Sequence, residues 1–314
     1  MRAAAILGLN SDERDLEPFR LAANVEWCIG LPDAATPADA ILILGGDGTI
    51  HRHLKPLVQR GAPVLVVPQG SGNDFARALG IRSRADSLAA WRKFAAGGNN
   101  VTQIDLGLIL ALPAGAAPAP PATRHYFCCV GGCGLDAEAG RRANTMPGWL
   151  RAHGGYVLSL LGALARFRPV LMKISLPPNG KPGEVEPRSS GPAMLLAFAN
   201  APAYGGGMRI APKAQLDDGK LDFCLVKQVG KLRLSWLFPT VYFGRHLKIP
   251  EVEYFQAERV RLETGSPMDV YADGEFVCRT PVEVTVAPRA LRVILPGLQG
   301  SGFWRPRREA APGN

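Results

Sequence analysis

Residues 41–49 read Ile41-Leu42-Ile43-Leu44-Gly45-Gly46-Asp47-Gly48-Thr49. Four consecutive aliphatic residues indicate a strand that is buried on both faces, as in a parallel sheet. The glycines let bare backbone N–H groups approach a phosphate, and a helix after Thr49 would add the positive end of its dipole. The pattern favours a phosphate-binding loop. An ordinary strand–turn–helix junction, with Asp47 as the helix cap, explains it as well.

A second glycine-rich stretch follows the next predicted strand, at residues 63–67. It reads Pro68-Gln69-Gly70-Ser71-Gly72-Asn73-Asp74-Phe75-Ala76. Both stretches would leave the carboxyl ends of neighbouring parallel strands, where open α/β sheets bind their ligands. We expect the two loops to lie side by side and form one nucleotide cleft, with Ser71 and Asn73 bonding phosphate or adenine. A helix N-cap at Asn73 or Asp74 is the alternative.

The first hundred residues alternate short apolar runs with helix-length segments, which is typical of βαβ units and a parallel sheet. The predicted strands are 3–9, 23–29, 40–44 and 63–67, and the predicted helices are 14–22, 49–60, 73–79 and 85–96. From residue 101 onward, β-like runs separated by turn residues indicate a mostly antiparallel second domain. These runs are 101–110, 124–130, 170–176, 193–199, 221–227, 258–263, 268–272, 282–286 and 291–295. Residues 112–123 and 177–192, rich in Pro, are expected to form loops.

The composition is that of a basic globular protein. Hydrophobic residues make up 47% of the 314-residue chain, and 36 Lys and Arg against 27 Asp and Glu give a formal net charge of +9. A basic surface favours polyanions such as nucleotides, nucleic acid or anionic lipid headgroups. Because no recognition motif and no interleaving of basic and aromatic residues is present, we expect no nucleic-acid partner.

The chain contains no apolar run of the roughly 18–20 residues that a membrane-spanning helix needs. The first apolar run meets charged residues from Asp12 onward, so it indicates a strand and not a signal peptide. We therefore expect a cytoplasmic protein, soluble or peripheral to a membrane. The six cysteines have no paired spacing, which indicates reduced thiols.

Several blocks of the sequence resemble the diacylglycerol kinase, sphingosine kinase and bacterial lipid kinase superfamily. The two glycine-rich stretches are similar to its catalytic signature. Further along, the chain carries Tyr204-Gly205-Gly206-Gly207-Met208, then Asp217-Asp218-Gly219-Lys220-Leu221-Asp222, then Asp273-Gly274-Glu275. The resemblance spans about residues 40–287, in the family's order.

The resemblance implies an α/β fold with two domains and an active site in the cleft between them. Residues 1–105 would form a Rossmann-like nucleotide-binding domain and residues 106–297 a β-sandwich that takes the lipid. Residues 298–314 would be a tail, whose return to the first domain stays open.

The resemblance also implies roles for individual residues. Glu275 would be the general base, and its hairpin turn at Asp273-Gly274 fits type I′ geometry. Asp47 would organise ATP and its Mg²⁺, or serve as base. Asp218, with the carbonyls of Gln215 and Lys220, would bind a structural Mg²⁺, although a plain Asp-Gly turn explains the same residues. The implied ATP-binding residues are Gly45, Gly46, Asp47, Gly48, Thr49, Gly70, Ser71, Gly72 and Asn73.

The function implied is transfer of the γ-phosphoryl group of ATP, with Mg²⁺, to a lipid hydroxyl, as in diacylglycerol, at the inner face of the cytoplasmic membrane. Two alternatives stay open: a soluble-substrate kinase related to NAD kinase, which shares Gly-Gly-Asp-Gly, and a non-catalytic family member. The second is motivated by residues 9–14, which lack the glycine-rich loop of relatives. A homodimer is also open.

The apolar segments 147–168 and 232–243 would either lie on a bilayer or pack on the second domain's sheet.

Overall fold

A computed structural model describes most of the chain. The described residues are 1–9, 11–32, 36–113, 123–135, 137, 138, 141, 159, 162–164, 167–177 and 186–297. They form two compact units. The first contains Met1–Asp105, Gln215–Asp218 and the segment that begins at Pro288, and the second contains Leu106–Ala214 and Gly219–Ala287. The predicted tail 298–314 lies outside the described residues.

The first unit alternates strands and helices, as predicted. Its elements are β1 Arg2–Leu7, α1 Glu13–Ala22, β2 Glu26–Ile29, β3 Ala40–Gly45, α2 Asp47–Arg60, β4 Val64–Pro68, α3 Asp74–Ala78 and α4 Arg84–Ala95. The strand order is β2-β1-β3-β4, with parallel pairing throughout. All six residues of β3 are buried, because helices cover both faces of a parallel sheet.

Side-chain caps fix where two of these helices begin. Asp12 accepts hydrogen bonds from the backbone of Arg14 and Asp15 at the start of α1, and Ser83 accepts one from Asp86 at the start of α4. In both cases the third helical residue returns a bond to the cap backbone, which completes a capping box. The acidic start of α1 is therefore a helix signal.

The second unit is built from antiparallel strands, which confirms the predicted fold class. Its strands are β6 Arg124–Phe127, β7 Val130–Gly134, β8 Val170–Leu176, β9 Glu186–Ala199, β10 Leu221–Lys227, β11 Val252–Ala257, β12 Arg259–Thr264, β13 Asp269–Ala272 and β14 Glu275–Arg279. Two longer strands, β5 Val101–Ala111 and β15 Val282–Ile294, have residues in both units. Strand β9 is central, since it pairs with β7, β8 and β10.

Aromatic pairs occupy the core of the second unit. The rings of Phe127 and Phe198 meet edge to face at 5.4 Å, and those of Phe223 and Phe255 stack at 5.2 Å. Offset and edge-to-face contacts of this kind suit the quadrupoles of aromatic rings. They tie β6, β9, β10 and β11 into one core.

The predicted secondary structure differs from the structure in several places. The run 124–130 is divided between β6 and β7, and β11 was not predicted. Residues 186–192, expected in a loop, form the first half of β9, because they pair with β8 over its whole length. The run 291–295, grouped with the antiparallel strands, contains the end of β15, which pairs in parallel with β4 at Val293 and Val64. Propensity alone could not reveal either pairing, since both depend on a distant partner strand.

One short helical region of the second unit bears on function. Helix α5, Lys231–Leu237, is followed by 3₁₀ turns at Phe238–Phe243 and Arg245–Lys248. Most of the other predicted amphipathic segment, 147–168, lies outside the described residues. No helix in the described part of the chain is long and apolar enough to cross a membrane.

Candidate functional site

The two glycine-rich loops lie side by side at the carboxyl edge of the parallel sheet, as predicted. Gly45 and Pro68 are register partners at the ends of β3 and β4, and the Gln69 amide donates to the Gly45 carbonyl at 3.1 Å. Strands β2 and β3 lie on opposite sides of β1, so the connections after β1 and β3 diverge. Open α/β sheets bind ligands at such a switch point.

The loops touch through bare backbone. A Cβ atom added to Gly70 would lie 2.6 Å from the Cα of Gly46, and one added to Gly46 would lie 2.9 Å from the Cα of Gly70. Neither backbone can retreat cheaply, because each loop joins a buried strand to a helix. Glycine is therefore required at both positions by the approach of two backbones.

Asp47 links the loops but does not cap its own helix. Its carboxylate accepts hydrogen bonds from the backbone N–H groups of Asp74 (3.0 Å) and Phe75 (3.1 Å), at the start of α3. Helix α2 begins with Gly46 as N-cap, which provides no side-chain oxygen. The alternative that Asp47 caps the helix after its own strand is therefore wrong, because the helix whose first N–H groups it accepts is α3, after the second loop.

Asn73 closes the second loop on itself. The residue has a left-handed conformation (φ 52°), which Asn tolerates better than most side chains. Its side-chain oxygen accepts from the Gly70 amide at 2.8 Å, and its NH₂ group donates to the Gly70 carbonyl. Ser71, at the tip, is exposed. The nucleotide contacts expected of Ser71 and Asn73 stay predictions.

Thr49 fills a space that two glycines leave. It is 7% exposed, and its hydroxyl oxygen lies 2.8 Å from where a Cβ on Gly8 or Gly45 would stand. The Gly8 amide donates to the Leu44 carbonyl at 2.8 Å. The loop after β1 is thereby held against the end of β3.

Ser11 strengthens the same junction. Its hydroxyl donates to the Leu44 carbonyl at 2.8 Å and contacts the side-chain amide of Gln69. Strands β1, β3 and β4 are neighbours in the sheet, and the loops that follow them are therefore joined by hydrogen bonds. The sequence pattern did not single out Ser11 or Gln69, because neither residue type marks a site without knowledge of the register.

The acidic turn predicted in the second unit is a two-residue hairpin between β13 and β14. Asp273 (φ 50°) and Gly274 (φ 88°) both have positive φ angles, as a type I′ turn requires, and Ala272 pairs with Glu275. Glu275 is exposed at the first position of β14. Its side chain makes no hydrogen bond or ion pair with any described residue.

Asp273 anchors this hairpin to the bend between β6 and β7. Its carboxylate accepts from the backbone N–H groups of Cys128 (2.9 Å) and Cys129 (2.8 Å), and its own amide donates to the Val130 carbonyl. On the other side of the bend, the Asn200 amide donates to the Cys129 carbonyl at 2.8 Å. The direction in which Glu275 leaves the sheet is thus set by backbone contacts.

The group formed by Cys128, Cys129 and Asp273 has metal-ligand chemistry but a structural explanation. One potential ligand atom from each lies within 4.8 Å of the others. The Asp273 oxygens already accept the two amides and the Cys128 thiol, whose sulfur lies 3.4 Å away. All six cysteines of the chain are free thiols, in line with the sequence.

The predicted structural Mg²⁺ loop is a turn before β10. Gln215 and Lys220 are exposed, Asp217 and Asp218 are half-buried, and Gly219 has a positive φ of 73°. A glycine at this φ lets the chain turn sharply, which brings several oxygens to one side. The assignment of Gln215, Asp218 and Lys220 to a metal stays a prediction.

An apolar pocket lies in the second unit. Its space, including the part open to solvent, amounts to about 790 Å³. The lining residues are Leu135, Leu164, Leu195, Tyr204, Met208, Ile210, Val226, Val229, Leu234, Leu237, Phe238, Val241, His246, Ile249, Glu251 and Val252. Tyr204, His246 and Glu251 are the polar members of this set.

Three successive glycines shape one wall of the pocket. Gly205, Gly206 and Gly207 have φ angles of 57°, 82° and 109°, a run that residues with side chains rarely adopt. This conformation brings Tyr204 and Met208 into mutual backbone hydrogen bonds of 3.1 and 2.9 Å, and both side chains face the pocket. The sequence identified these glycines only through the family resemblance.

His246 is the buried polar group of the pocket that the sequence did not predict. It is 3% exposed, its Nε2 lies 3.0 Å from the Ile210 carbonyl, and Nδ1 has no partner among the described residues. A donating Nε2–H leaves Nδ1 as an acceptor in the neutral ring. Burial lowers the pKa of His246, and the bond to Ile210 opposes this only in part.

Comparison with known proteins agrees with this architecture. The model of the diacylglycerol kinase catalytic domain matches residues 27–109, and that of the YegS C-terminal NAD kinase beta sandwich-like domain matches 130–295. A diacylglycerol kinase of Mycobacterium tuberculosis is 32% identical over 262 residues, which cover 83% of this chain and 78% of the relative. A diacylglycerol kinase of Bacillus subtilis is 29% identical, with coverage of 82% and 78%.

Solved structures share the fold. A diacylglycerol kinase from Bacillus anthracis superposes with a TM-score of 0.66 at 20% identity, over 94% of this chain and 96% of the other. An NAD kinase from Archaeoglobus fulgidus, in complex with ATP, gives a TM-score of 0.52 at 13% identity and covers 96% of each chain. With a relative 32% identical over most of its length and family models that match both halves, the chain belongs to the diacylglycerol kinase family.

Proposed function

We propose that this protein is a lipid kinase that transfers the γ-phosphoryl group of MgATP to the hydroxyl of diacylglycerol or a related lipid. It would act at the cytoplasmic surface of a membrane. The observation that carries the choice of acceptor is the apolar pocket of the second unit, because a hydrocarbon chain is what such a lining binds best.

The glycine loops of the first unit support the nucleotide part of the proposal. Gly46 and Gly70 keep side chains away from the loop surfaces, and α2 starts without a side-chain cap at Gly46. The first N–H groups of a 14-residue helix, together with its dipole, suit the triphosphate of ATP.

The same pocket argues against a soluble dinucleotide as acceptor. A polar dinucleotide needs a hydrogen-bond partner for each buried polar group, because an unpaired one is unfavourable. Among the described residues of this lining, only Tyr204, His246 and Glu251 offer side-chain polar atoms, and Glu251 already pairs with Arg233 at 2.9 Å. An acyl chain makes no such demand.

Glu275 is the proposed general base. Its carboxylate would accept the proton of the acceptor hydroxyl as that oxygen bonds to the γ-phosphorus, while the bond to the bridging oxygen of ADP breaks. An exposed carboxylate, aimed by a hairpin that Asp273 anchors, can meet an acceptor without first losing a protein partner.

Magnesium enters this proposal in two places. It arrives with ATP as the MgATP substrate, whose triphosphate Asp47 would help to orient. A second, structural ion fits the turn at Gln215–Asp218, since the Asp218 carboxylate and the carbonyls of Gln215 and Lys220 are the oxygen ligands that this hard cation prefers.

The test is phosphoryl transfer from γ-labelled ATP, with Mg²⁺, into a panel of lipids in mixed micelles, with NAD⁺ as a soluble competitor acceptor. Label in one lipid class is the expected result. Glu275→Ala and Asp47→Ala should each lower the rate by about 10²-fold or more, as expected for loss of a base or of a nucleotide-orienting group.

Each other outcome selects an alternative. Label in NAD⁺ and not in lipid would overturn the lipid proposal in favour of an NAD-kinase-like activity. ATP binding without transfer to any acceptor would identify a non-catalytic family member. Undiminished transfer by Glu275→Ala would remove Glu275 as the base.

A further inference from the structure

The segment that forms one wall of the apolar pocket also exposes large apolar side chains. Within α5 and the 3₁₀ turn after it, Leu234 and Leu237 line the pocket. Leu232, Trp236 and Phe243 of the same segment are 83%, 85% and 70% exposed. Leu232 and Trp236 are four residues apart on α5, so they share one helix face.

Exposure of this extent indicates a contact surface. Three large apolar side chains are exposed within twelve residues, and exposed apolar surface of this kind marks sites of interaction with proteins or membranes. We call these three residues the patch. Trp in particular prefers the interface between water and lipid, where its ring and its N–H are both accommodated.

The charges around the patch favour an anionic surface. Residues 228–250 contain two Lys, two Arg and no acidic residue. Lys231, Arg245 and Lys248 are exposed, and Arg233 is held at 2.9 Å by Glu251, which directly precedes β11. A second copy of this chain is a poor partner, since a two-fold contact at this patch would oppose cation to cation.

We propose that Leu232, Trp236 and Phe243 insert into the surface of a bilayer that contains anionic phospholipid, with Lys231, Arg245 and Lys248 at the headgroups. The same segment then separates the bilayer from the apolar pocket, so that a lipid chain enters the pocket without crossing water. The first part stands on the patch alone, and the second rests on the proposed lipid kinase activity.

The test of docking is flotation with vesicles of phosphatidylcholine alone and of phosphatidylcholine with phosphatidylglycerol. Wild type should float with the anionic vesicles. Trp236→Ser should weaken partitioning about tenfold, as expected for losing the burial of one large apolar side chain. The triple variant Leu232→Ser/Trp236→Ser/Phe243→Ser should stay in solution.

Leu21→Ser is the matched control, because Leu21 is 81% exposed on α1 of the first unit and should bind as wild type does. Arg245→Gln/Lys248→Gln should lose roughly 25-fold in affinity for anionic vesicles only, since each cation near such a surface contributes about a factor of five. That loss should shrink as salt is raised.

Docking and catalysis are separated by a short-chain diacylglycerol that is dissolved as a monomer. The triple variant should phosphorylate this acceptor at the wild-type rate but lose activity on lipid in vesicles. If no acceptor is phosphorylated, the kinase proposal fails and flotation still decides docking. The docking proposal would be overturned if the triple variant floated with vesicles as well as wild type does. It would also be overturned if wild type formed a dimer without lipid and the triple variant were a monomer.

Discussion

The two carboxylates at the centre of the proposed chemistry, Asp47 and Glu275, are held in opposite ways. Asp47 lies between two glycine loops, and both of its oxygens accept backbone hydrogen bonds from α3. Glu275 projects from a hairpin into solvent, and a different residue, Asp273, attaches that hairpin to the sheet. In the first unit a single side chain, Asp47, both holds the loops together and is the proposed nucleotide-orienting group. In the second unit Asp273 holds the hairpin and Glu275 is the proposed base.

Because of this difference, a substitution at Asp47 should affect both stability and activity, whereas a substitution at Glu275 should affect activity alone. A substitution at Asp47 must disturb the start of α3 whatever it does to catalysis. A substitution at Glu275 should leave the fold intact, because exposed side chains without partners contribute little to stability. The hairpin therefore offers the cleaner experiment.

The largest effect on stability is expected at Asp273. Asp273→Ala removes the acceptor of two backbone amides, and hydrogen bonds to charged groups are worth enough that the free energy of unfolding should fall by about 2–4 kcal/mol. Glu275→Ala should change it by less than about 0.5 kcal/mol. Urea unfolding of the two variants measures both values.

Asp273→Asn is the control for that pair, since Asn keeps one oxygen and tolerates the left-handed backbone. It should lose less stability than Asp273→Ala does. Equal stability of Asp273→Ala and Glu275→Ala would contradict the division of roles in the hairpin.

A second prediction concerns the contact between the glycine loops. Gly70→Ala forces a Cβ atom to 2.6 Å from the Cα of Gly46, so one loop must move. We expect a loss of about 1–3 kcal/mol in the free energy of unfolding and weaker ATP binding. Gly230→Ala is the control, because its φ of −61° suits any residue and no atom lies within 4 Å of the added Cβ.

Thermal melts and ATP titration of both variants check this prediction. Normal stability and ATP affinity of Gly70→Ala would mean that the two loops can separate without consequence. The contrast between Asp47, which is held between two loops, and Glu275, which projects from an anchored hairpin, would then lose its first half.

The smallest effect is expected at His246. Because burial lowers its pKa below the ordinary 6.5, the unfolded chain binds a proton more readily than the folded protein does. Stability from this group is therefore present above about pH 6.5 and falls as pH drops below that value. His246→Gln keeps a donor that reaches the Ile210 carbonyl but cannot titrate, so its Tm should fall less than that of wild type between about pH 7.5 and 5.5. If Tm falls by the same amount in the two proteins over this pH range, a group other than His246 is responsible for the pH dependence.

The parallel half of the fold was predictable because its signals are local. Strands such as β3 are continuous aliphatic runs that end in glycine, and the helices carry their own caps at Asp12 and Ser83. The carboxyl-end rule then places the loops together without any knowledge of packing. The helix that Asp47 caps was not predictable, since that contact depends on the register of β3 and β4.

The antiparallel half was harder to predict because its strands are determined by contacts with residues that are distant in the sequence. Strand β7, Val-Gly-Gly-Cys-Gly, has the composition of a turn, yet a Cβ on Gly131 would lie 2.2 Å from the ring of Phe198. The glycine makes room for an aromatic ring of β9. The apolar pocket and His246 follow from packing of this kind, so neither appears in any local pattern.

The parallel pairing of Val293 with Val64 has a consequence for how the protein is made. When a ribosome has released the first hundred residues, the outer edge of β4 still lacks its neighbour, and exposed strand edges invite aggregation. The Asn100 side chain likewise donates a hydrogen bond to the carbonyl of Leu295, which is synthesised 195 residues later. The unit that is synthesised first is therefore completed last, and contacts of such long range are expected to slow its folding.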